Sequence, residues 1–196
     1  MNAVTRRSQM KAERRLQLVR AASRLFAERG FRAVSMEDLA AEAGVSGPAV
    51  YRHFASKEAL LADLLIDVSQ QLLQQGTQRS TSSSPLEALR TLIAFHTDFA
   101  LRDRDLIRIQ DHDFANLALE DARTVSRLQR AYLDVWVDVL REIDSTLAEG
   151  VARTKIQAVF GLLNSTPHSA SNRDTETTRS ILEMMAMDAL GPSLAR

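Results

Sequence analysis

The sequence predicts an all-α protein with a three-helix helix-turn-helix at its N-terminus and a larger helical domain behind it. Three observations carry this. Apolar residues recur at three- and four-residue spacing along nearly the whole chain. No segment alternates apolar and polar residues between turns, as a half-buried strand would. Helix starts of the Ser-x-x-Asp and Ser-Pro-x-Glu kind, and glycines behind helical stretches, punctuate the pattern.

The first helix is expected over Lys11 to Arg29, where Leu18, Ala22, Leu25 and Phe26 form one apolar face. Ser35-Met36-Glu37-Asp38 has capping-box spacing and starts a short second helix. A third runs from Ser46 to about His53. A fourth is expected from Ser56 to Gly76, followed by a Ser/Thr-rich loop over Thr77 to Ser84. Ser84-Pro85-Leu86-Glu87 starts a fifth helix, which runs to Arg102. A shorter helix follows at Arg104 to Phe114. The longest is expected from Asp121 to Ala148, with Val125, Leu128, Tyr132, Trp136, Val139, Ile143 and Leu147 in register. Helices over Val151 to Thr166, ended by Pro167, and Thr175 to Leu190 complete the chain around a polar loop at Ser169 to Asp174. Gly30, Gly44, Gly76, Gly150 and Gly191 are read as left-handed stops.

Composition narrows the function classes. The chain has 196 residues, 45% of them hydrophobic, enough for one large core or two small ones. Cysteine is absent, which excludes a disulfide scaffold, a thiolate zinc site and a cysteine nucleophile, and fits the cytoplasm. No apolar run approaches the roughly 18–20 residues that cross a bilayer, so no membrane partner is expected. The polar, basic Met1 to Arg15 stretch does not read as a signal peptide. The net charge of zero hides a polarity. Residues 1–57 hold eleven Lys and Arg against five Asp and Glu, and the remainder has an equal acidic excess. Either the first part meets a polyanion or the surface charge fluctuates by chance.

The informative segment is Met36 to Phe54. Small and apolar Leu39, Ala40, Ala43, Val45 and Val50 surround Gly44, as two short helices crossing at a tight turn require. Ser46 caps the second of these helices, and its first turn is Gly47, Pro48 and Ala49, small enough for close approach to a groove floor. Tyr51, Arg52, His53 and Lys57 follow, all able to donate to phosphate oxygens. The alternative is a helical hairpin inside a bundle. That would not explain four such donors on one short helix end.

Residues Leu25-Phe26-Ala27-Glu28-Arg29-Gly30-Phe31, Ser35-Met36-Glu37-Asp38-Leu39-Ala40, Ala43-Gly44-Val45-Ser46 and Val50-Tyr51-Arg52-His53-Phe54-Ala55-Ser56-Lys57-Glu58-Ala59-Leu60 resemble the TetR/AcrR family of bacterial repressors. The resemblance covers about the first 65 residues; Gly47-Pro48, where the family varies, is its one departure. It implies a DNA-binding domain over residues 1–56 and a ligand-binding and dimerisation domain over 57–196. It further implies that Ser35 holds a phosphate at a helix N-terminus, and that Ser46, Gly47, Pro48 and Ala49 lie at the major groove. Tyr51, Arg52 and His53 would clamp phosphates, and Lys57 would reach another. Arg6, Arg7, Lys11, Arg14 and Arg15 form a basic arm that either follows the DNA or stays a solvated tail.

A single pair of short helices reads too few base pairs, so a homodimer on a double-stranded, palindromic operator is expected. Val159, Leu162 and Leu163 with Ile181, Met184 and Met185 are the candidate dimer stripes, or else intrachain core. Phe95, His96, Phe99, Phe114, Tyr132, Trp136 and Asn164 are candidates to line an effector pocket, each alone being equally at home in a core. His96 and His112 lack metal spacing, and no cofactor motif is present. The segment Gly161 to Pro167 is similar to actinobacterial members that sense acyl-CoA thioesters. The resulting expectation is a cytoplasmic, ligand-responsive repressor of the TetR kind, without catalytic residues, released from its operator by a bulky, largely apolar effector. A ligand-responsive activator and a helical enzyme are the alternatives.

Overall fold

A computed structural model describes residues 3–82, 84–166 and 175–191, with side chains from Ser8 onward. The helices are α1 (Ala3–Arg29), α2 (Met36–Glu42), α3 (Gly47–Tyr51), α4 (Lys57–Ser80), α5 (Pro85–Arg102), α6 (Arg104–Asp113), α7 (Leu119–Ile143), α8 (Glu149–Leu163) and α9 (Thr175–Leu190). Short 3-10 turns stand at Phe31–Ala33 and Phe114–Asn116. Among the described residues there is no strand, and no helix is long and apolar enough to cross a membrane. Pro167 and the loop expected at Ser169 to Asp174 lie outside the described residues.

The chain forms two compact units, one of residues up to Asp67 with Arg108–Arg123, the other of Val68–Ile107 with the described residues from Thr124 on. In the first unit Leu18, Ala22, Leu25 and Phe26 of α1 are buried with Leu39, Ala40, Val50 and Phe54. The Ser35 capping box is formed as its spacing predicts. Asp38 N donates to Ser35 Oγ at 3.0 Å, and Ser35 N donates to Asp38 Oδ2 at 2.8 Å. Gly44 has φ 64°, a left-handed turn that a side chain resists, and Val45 N donates back to Ala40 O at 2.9 Å. Arg15 pairs with Asp63 and Arg24 with Glu42, tying α1 to α4 and to α2.

In the second unit α5, α8 and α9 pack on one another. Leu89, Leu92 and Ile93 of α5, Trp136 and Leu140 of α7, Ile156, Val159 and Leu163 of α8, and Ala186 of α9 share one core. Ser84 caps α5 by accepting from Glu87 N at 3.3 Å, with Pro85 in the first turn, where its missing N–H costs nothing.

Several boundaries differ from the sequence expectation, each for a local reason. α1 begins at Ala3 rather than Lys11, because residues 3–10 contain neither Gly nor Pro to stop it. At 27 residues it is longer than α7 at 25. α4 passes through Gly76 to Ser80. There Thr77 Oγ1 donates to Leu73 O at 2.9 Å and Ser80 Oγ to Thr77 O at 2.9 Å, so hydroxyls read as loop signals bond to the helix instead. Gly76 is therefore no stop, and Gly150 lies inside the first turn of α8. Gly191 follows α9 without a left-handed φ. α7 ends at Ile143, since Asp144 Oδ1 accepts from Thr146 N at 3.0 Å and draws the backbone into a turn.

What Gly76 provides is proximity. A Cβ there would stand 2.5 Å from Tyr132 Cε2 and 2.9 Å from Cδ2. Gly76→Ala should therefore push the Tyr132 ring out of its place and lower stability by about 1–3 kcal/mol, despite alanine's better helix propensity. Chemical denaturation checks this; an unchanged or raised midpoint would show that the ring yields at no cost.

Candidate functional site

The segment from Ser35 to His53 belongs wholly to the first unit. Val50, fully buried, and Phe54 anchor α3 from below. Above them Ser46, Pro48, Tyr51 and Arg52 are exposed, with Tyr51 at 53%. Gly47, Ala49 and His53 are half-buried. Ser46 starts α3 without using its hydroxyl as a cap, and Ala49 N reaches Ser46 O at 2.8 Å. Pro48 falls in the first turn, where its amide would have no intrahelical partner in any case. The face these residues present is small at its leading end and rich in donors at its trailing end. His53 is held below its ordinary pKa, first by partial burial and then by the charges of Lys11, Arg15, Arg14 and Arg52. A polyanion against this face would relieve that repulsion.

Two residues expected on the phosphate list have other partners. Ser35 donates both its amide, at 2.8 Å, and its hydroxyl, at 2.6 Å, to Asp38 Oδ2. Those bonds hold the Asp38 carboxyl below its usual value, so an anion already occupies this helix start. Lys57 turns its ammonium inward. Nζ donates to Phe31 O and Val34 O, each at 2.7 Å, and stands 4.3 Å from the Phe31 ring centroid. One N–H is left to reach outward. Nothing in the spacing of Lys57 signals this, because both acceptors are backbone.

The basic arm is helical from Ala3, with Lys11 and Arg14 exposed; the side chains of Arg6 and Arg7 lie outside the description. Arg15 does not trail outward: it pairs with Asp63 and lies 4.7 Å over the Phe54 ring.

The second unit contains a buried aromatic cluster. His96 stacks on Phe160 at 4.7 Å and faces Tyr132 at 5.8 Å, and Trp136 meets Phe160 edge-on at 5.0 Å. His96 Nε2 lies 3.1 Å from Asn164 Oδ1, an acceptor, so Nε2 carries the proton. His96 Nδ1 then accepts from the Tyr132 hydroxyl at 3.2 Å. Burial depresses His96 to about 4, against the opposing bond to Asn164, and burial pushes the Tyr132 phenol up. Phe99 lies 5.8 Å from His96, and Phe95 takes the Arg79 guanidinium over its ring at 4.2 Å. Five of the seven expected lining residues thus meet directly: His96, Phe99, Tyr132, Trp136 and Asn164. Phe114 belongs to the first unit. Phe160 was missed, although it lies one turn before Asn164 on the same helix face.

The expected dimer stripes divide. Val159 and Leu163 are buried in their own chain's core and are unavailable to a partner, because α8 uses that face against α5 and α9. Leu162 is half-buried, and Ile181, Met184 and Met185 are exposed, Met184 at 57%. Among the described residues no three His, Cys, Asp or Glu could hold a metal ion.

His96 ties stability to pH. It is neutral when folded down to about 4 but titrates at 6.5 when unfolded, so between these values the unfolded chain binds more protons. Folding stability should rise with pH across that window and lose about 3 kcal/mol of His96's share as pH falls to 4. Denaturation of the wild type and His96→Gln at several pH values measures this share as the difference in slope. Parallel curves would contradict it.

Comparison with known proteins bears on both units. Residues 18–64 match the family described as bacterial regulatory proteins, tetR family, and residues 82–168 match the tetracyclin repressor-like C-terminal domain. The HTH-type transcriptional repressor KstR2 of Mycolicibacterium smegmatis is 32% identical over 133 residues, 67% of this chain and 65% of the repressor. The chain thus spans just under two thirds of that relative's length. A TetR-family regulator from Bordetella parapertussis has the same fold, with a TM-score of 0.82 at 21% identity over 93% of this chain and 96% of that one. FadR from Bacillus subtilis, solved with stearoyl-CoA, gives 0.72 at 20% identity over 90% and 97%. Matched in both its N-terminal and its C-terminal parts, the chain belongs to the TetR family of bacterial regulatory proteins.

Proposed function

We propose that the chain is a DNA-binding transcription regulator, a repressor that leaves its operator when a largely apolar effector binds. One observation carries this: α3 is anchored by Val50 while its solvent side offers Tyr51, Arg52 and His53 beside the cations of α1. In this reading residues 1–56 hold the DNA. Ser46, Gly47, Pro48 and Ala49 approach base edges, and Tyr51, Arg52 and His53 take phosphates. Ser35 contributes there only by exchanging an Asp38 bond for a phosphate, and Lys57 only through the one N–H its two carbonyl bonds leave. Residues 57–196 bind effector and pair the subunits, with Leu162, Ile181, Met184 and Met185 as the apolar contact of a homodimer. The protein would act in the cytoplasm, without cofactor or catalysis.

The stearoyl-CoA bound to Bacillus subtilis FadR supports a long-chain acyl-CoA as the first effector to try. Helix α4 supplies the coupling. It carries Lys57 in its first turn and Gly76, against Tyr132, near its end. An effector that displaces Tyr132 displaces Gly76 and turns this helix, and operator and effector then weaken one another by the same factor.

Selecting duplexes from a random pool should return an inverted repeat. Stearoyl-CoA should then lower affinity for that repeat about a hundredfold, a coupling of about 2.7 kcal/mol. Fluorescence anisotropy of the labelled duplex, at fixed salt, reads both. Failure to select any sequence over background would defeat the regulator reading. A duplex that stays bound at saturating stearoyl-CoA would defeat the acyl-CoA reading alone.

A further inference from the structure

Arg15 of α1 is engaged from two sides. Its guanidinium pairs with Asp63 of α4 and lies 4.7 Å over the ring of Phe54, the buried residue that closes the recognition segment. It also acts on His53, whose charged form it disfavours, so the end of α3 lies beside this side chain. His53 N and Phe54 N both donate to Val50 O, at 2.9 Å and 3.0 Å. A displaced Phe54 ring would therefore carry the turn that ends α3 with it.

The strength of the hold follows from the carboxylate. The Asp63 side chain is 19% exposed, and among the described residues its Oδ2 is buried without a hydrogen-bond partner. Burial raises its pKa, the Arg15 charge opposes that rise, and Asp67, one turn further along α4, adds to it. Were Arg15 to leave for a phosphate, a largely buried carboxylate would be stranded beside a second one. A buried charge that loses its partner costs more than a surface ion pair contributes. The Arg24–Glu42 pair is of the second kind: Glu42 is 37% exposed, and water replaces its partner when the pair opens. The planar guanidinium also covers an aromatic face in a way that a phosphate contact would give up.

We propose that Arg15 is a positioning residue for the reading of bases: paired with Asp63, it clamps Phe54 and so aims α3, and it takes no phosphate of its own. This deepens the proposed function and rests on it for the identity of α3 as the helix that reads bases. It gives Asp63, an acid on the unit that meets a polyanion, a favourable share in binding, opposite in sign to what its charge alone contributes.

Two variants keep or raise the positive charge of this unit while breaking the clamp. Asp63→Asn removes the charged partner at constant size, and Arg15→Lys keeps the charge but loses the planar face over Phe54. Each should lower affinity for the selected duplex about tenfold, as if α3 held its binding orientation about a tenth of the time, and leave affinity for a scrambled duplex and the salt slope unchanged. Glu42→Gln, which deletes the exposed carboxylate, is the control and should leave both affinities within about twofold. Loss of folded protein lowers binding of both duplexes alike, so the ratio between them separates aim from stability. In the free protein, amide exchange at His53 and Phe54 should quicken about tenfold in Asp63→Asn. Tighter binding of every duplex by Asp63→Asn, with a salt slope steeper by about one, would mean that Asp63 restrains a phosphate contact, and overturns the inference. So does an unchanged ratio in either variant, or unchanged exchange at His53 and Phe54. If the wild type selects no duplex, the regulator reading fails, and the exchange measurement alone decides the clamp.

Discussion

The arrangement of the first unit depends on the Lys57 ammonium. Between α1 and α2 lies a 3-10 turn in which the Phe31 carbonyl accepts from Val34 N at 3.4 Å. Lys57, the first residue of α4, donates to the Phe31 and Val34 carbonyls, each at 2.7 Å, and covers the Phe31 ring. Phe31 in turn stands edge-on to Phe26 of α1 at 5.3 Å, and its N–H reaches the buried Asp113 Oδ1 at 3.4 Å. The start of α2 and the start of α4 are thus fixed to one turn. Between them the Gly44 turn, the Ser46 corner and the buried Val50 and Phe54 set where α3 points. A charge-assisted bond to two carbonyls is stronger than a neutral one, and losing it would remove the charged donor from both. The donor face of α3 has a defined direction because the backbone on either side of it is held this way.

The second unit is organised around neutrality. Its aromatic cluster buries a histidine, a phenol and an indole, and the first two satisfy one another through a single directional chain to Asn164. Burial keeps the histidine uncharged, and Phe160 stacks flat on it. Glycine at position 76 lets α4 lie against the phenol ring. The stretch of α4 around Gly76 thus lies against this cluster within the second unit.

The sequence announced local features and withheld tertiary ones. The α5 and α9 boundaries, the Ser35 capping box and the turn at Gly44 follow from side chains acting within a few residues, and spacing displays them. Lys57 took the role of a phosphate contact because a lysine after a donor-rich helix end looks the same whether it bonds outward or to distant carbonyls. Gly76 looked like a stop because the ring it accommodates is 56 positions away. Val159 and Leu163 looked like a partner stripe since periodicity marks an apolar face without saying what covers it. Phe160, between them, escaped notice for the same reason. The Ser/Thr tract looked like loop because hydroxyls that bond back to a helix and hydroxyls in solvent have one composition.

The central claim is that α3 and its flanks are the surface that meets DNA. Amide hydrogen exchange, with and without the selected duplex, tests it most directly. The account predicts added protection over residues 46–54 and the neighbouring N-terminal half of α1, and unchanged exchange in α8 and α9. Protection that leaves residues 46–54 untouched while appearing elsewhere would contradict it.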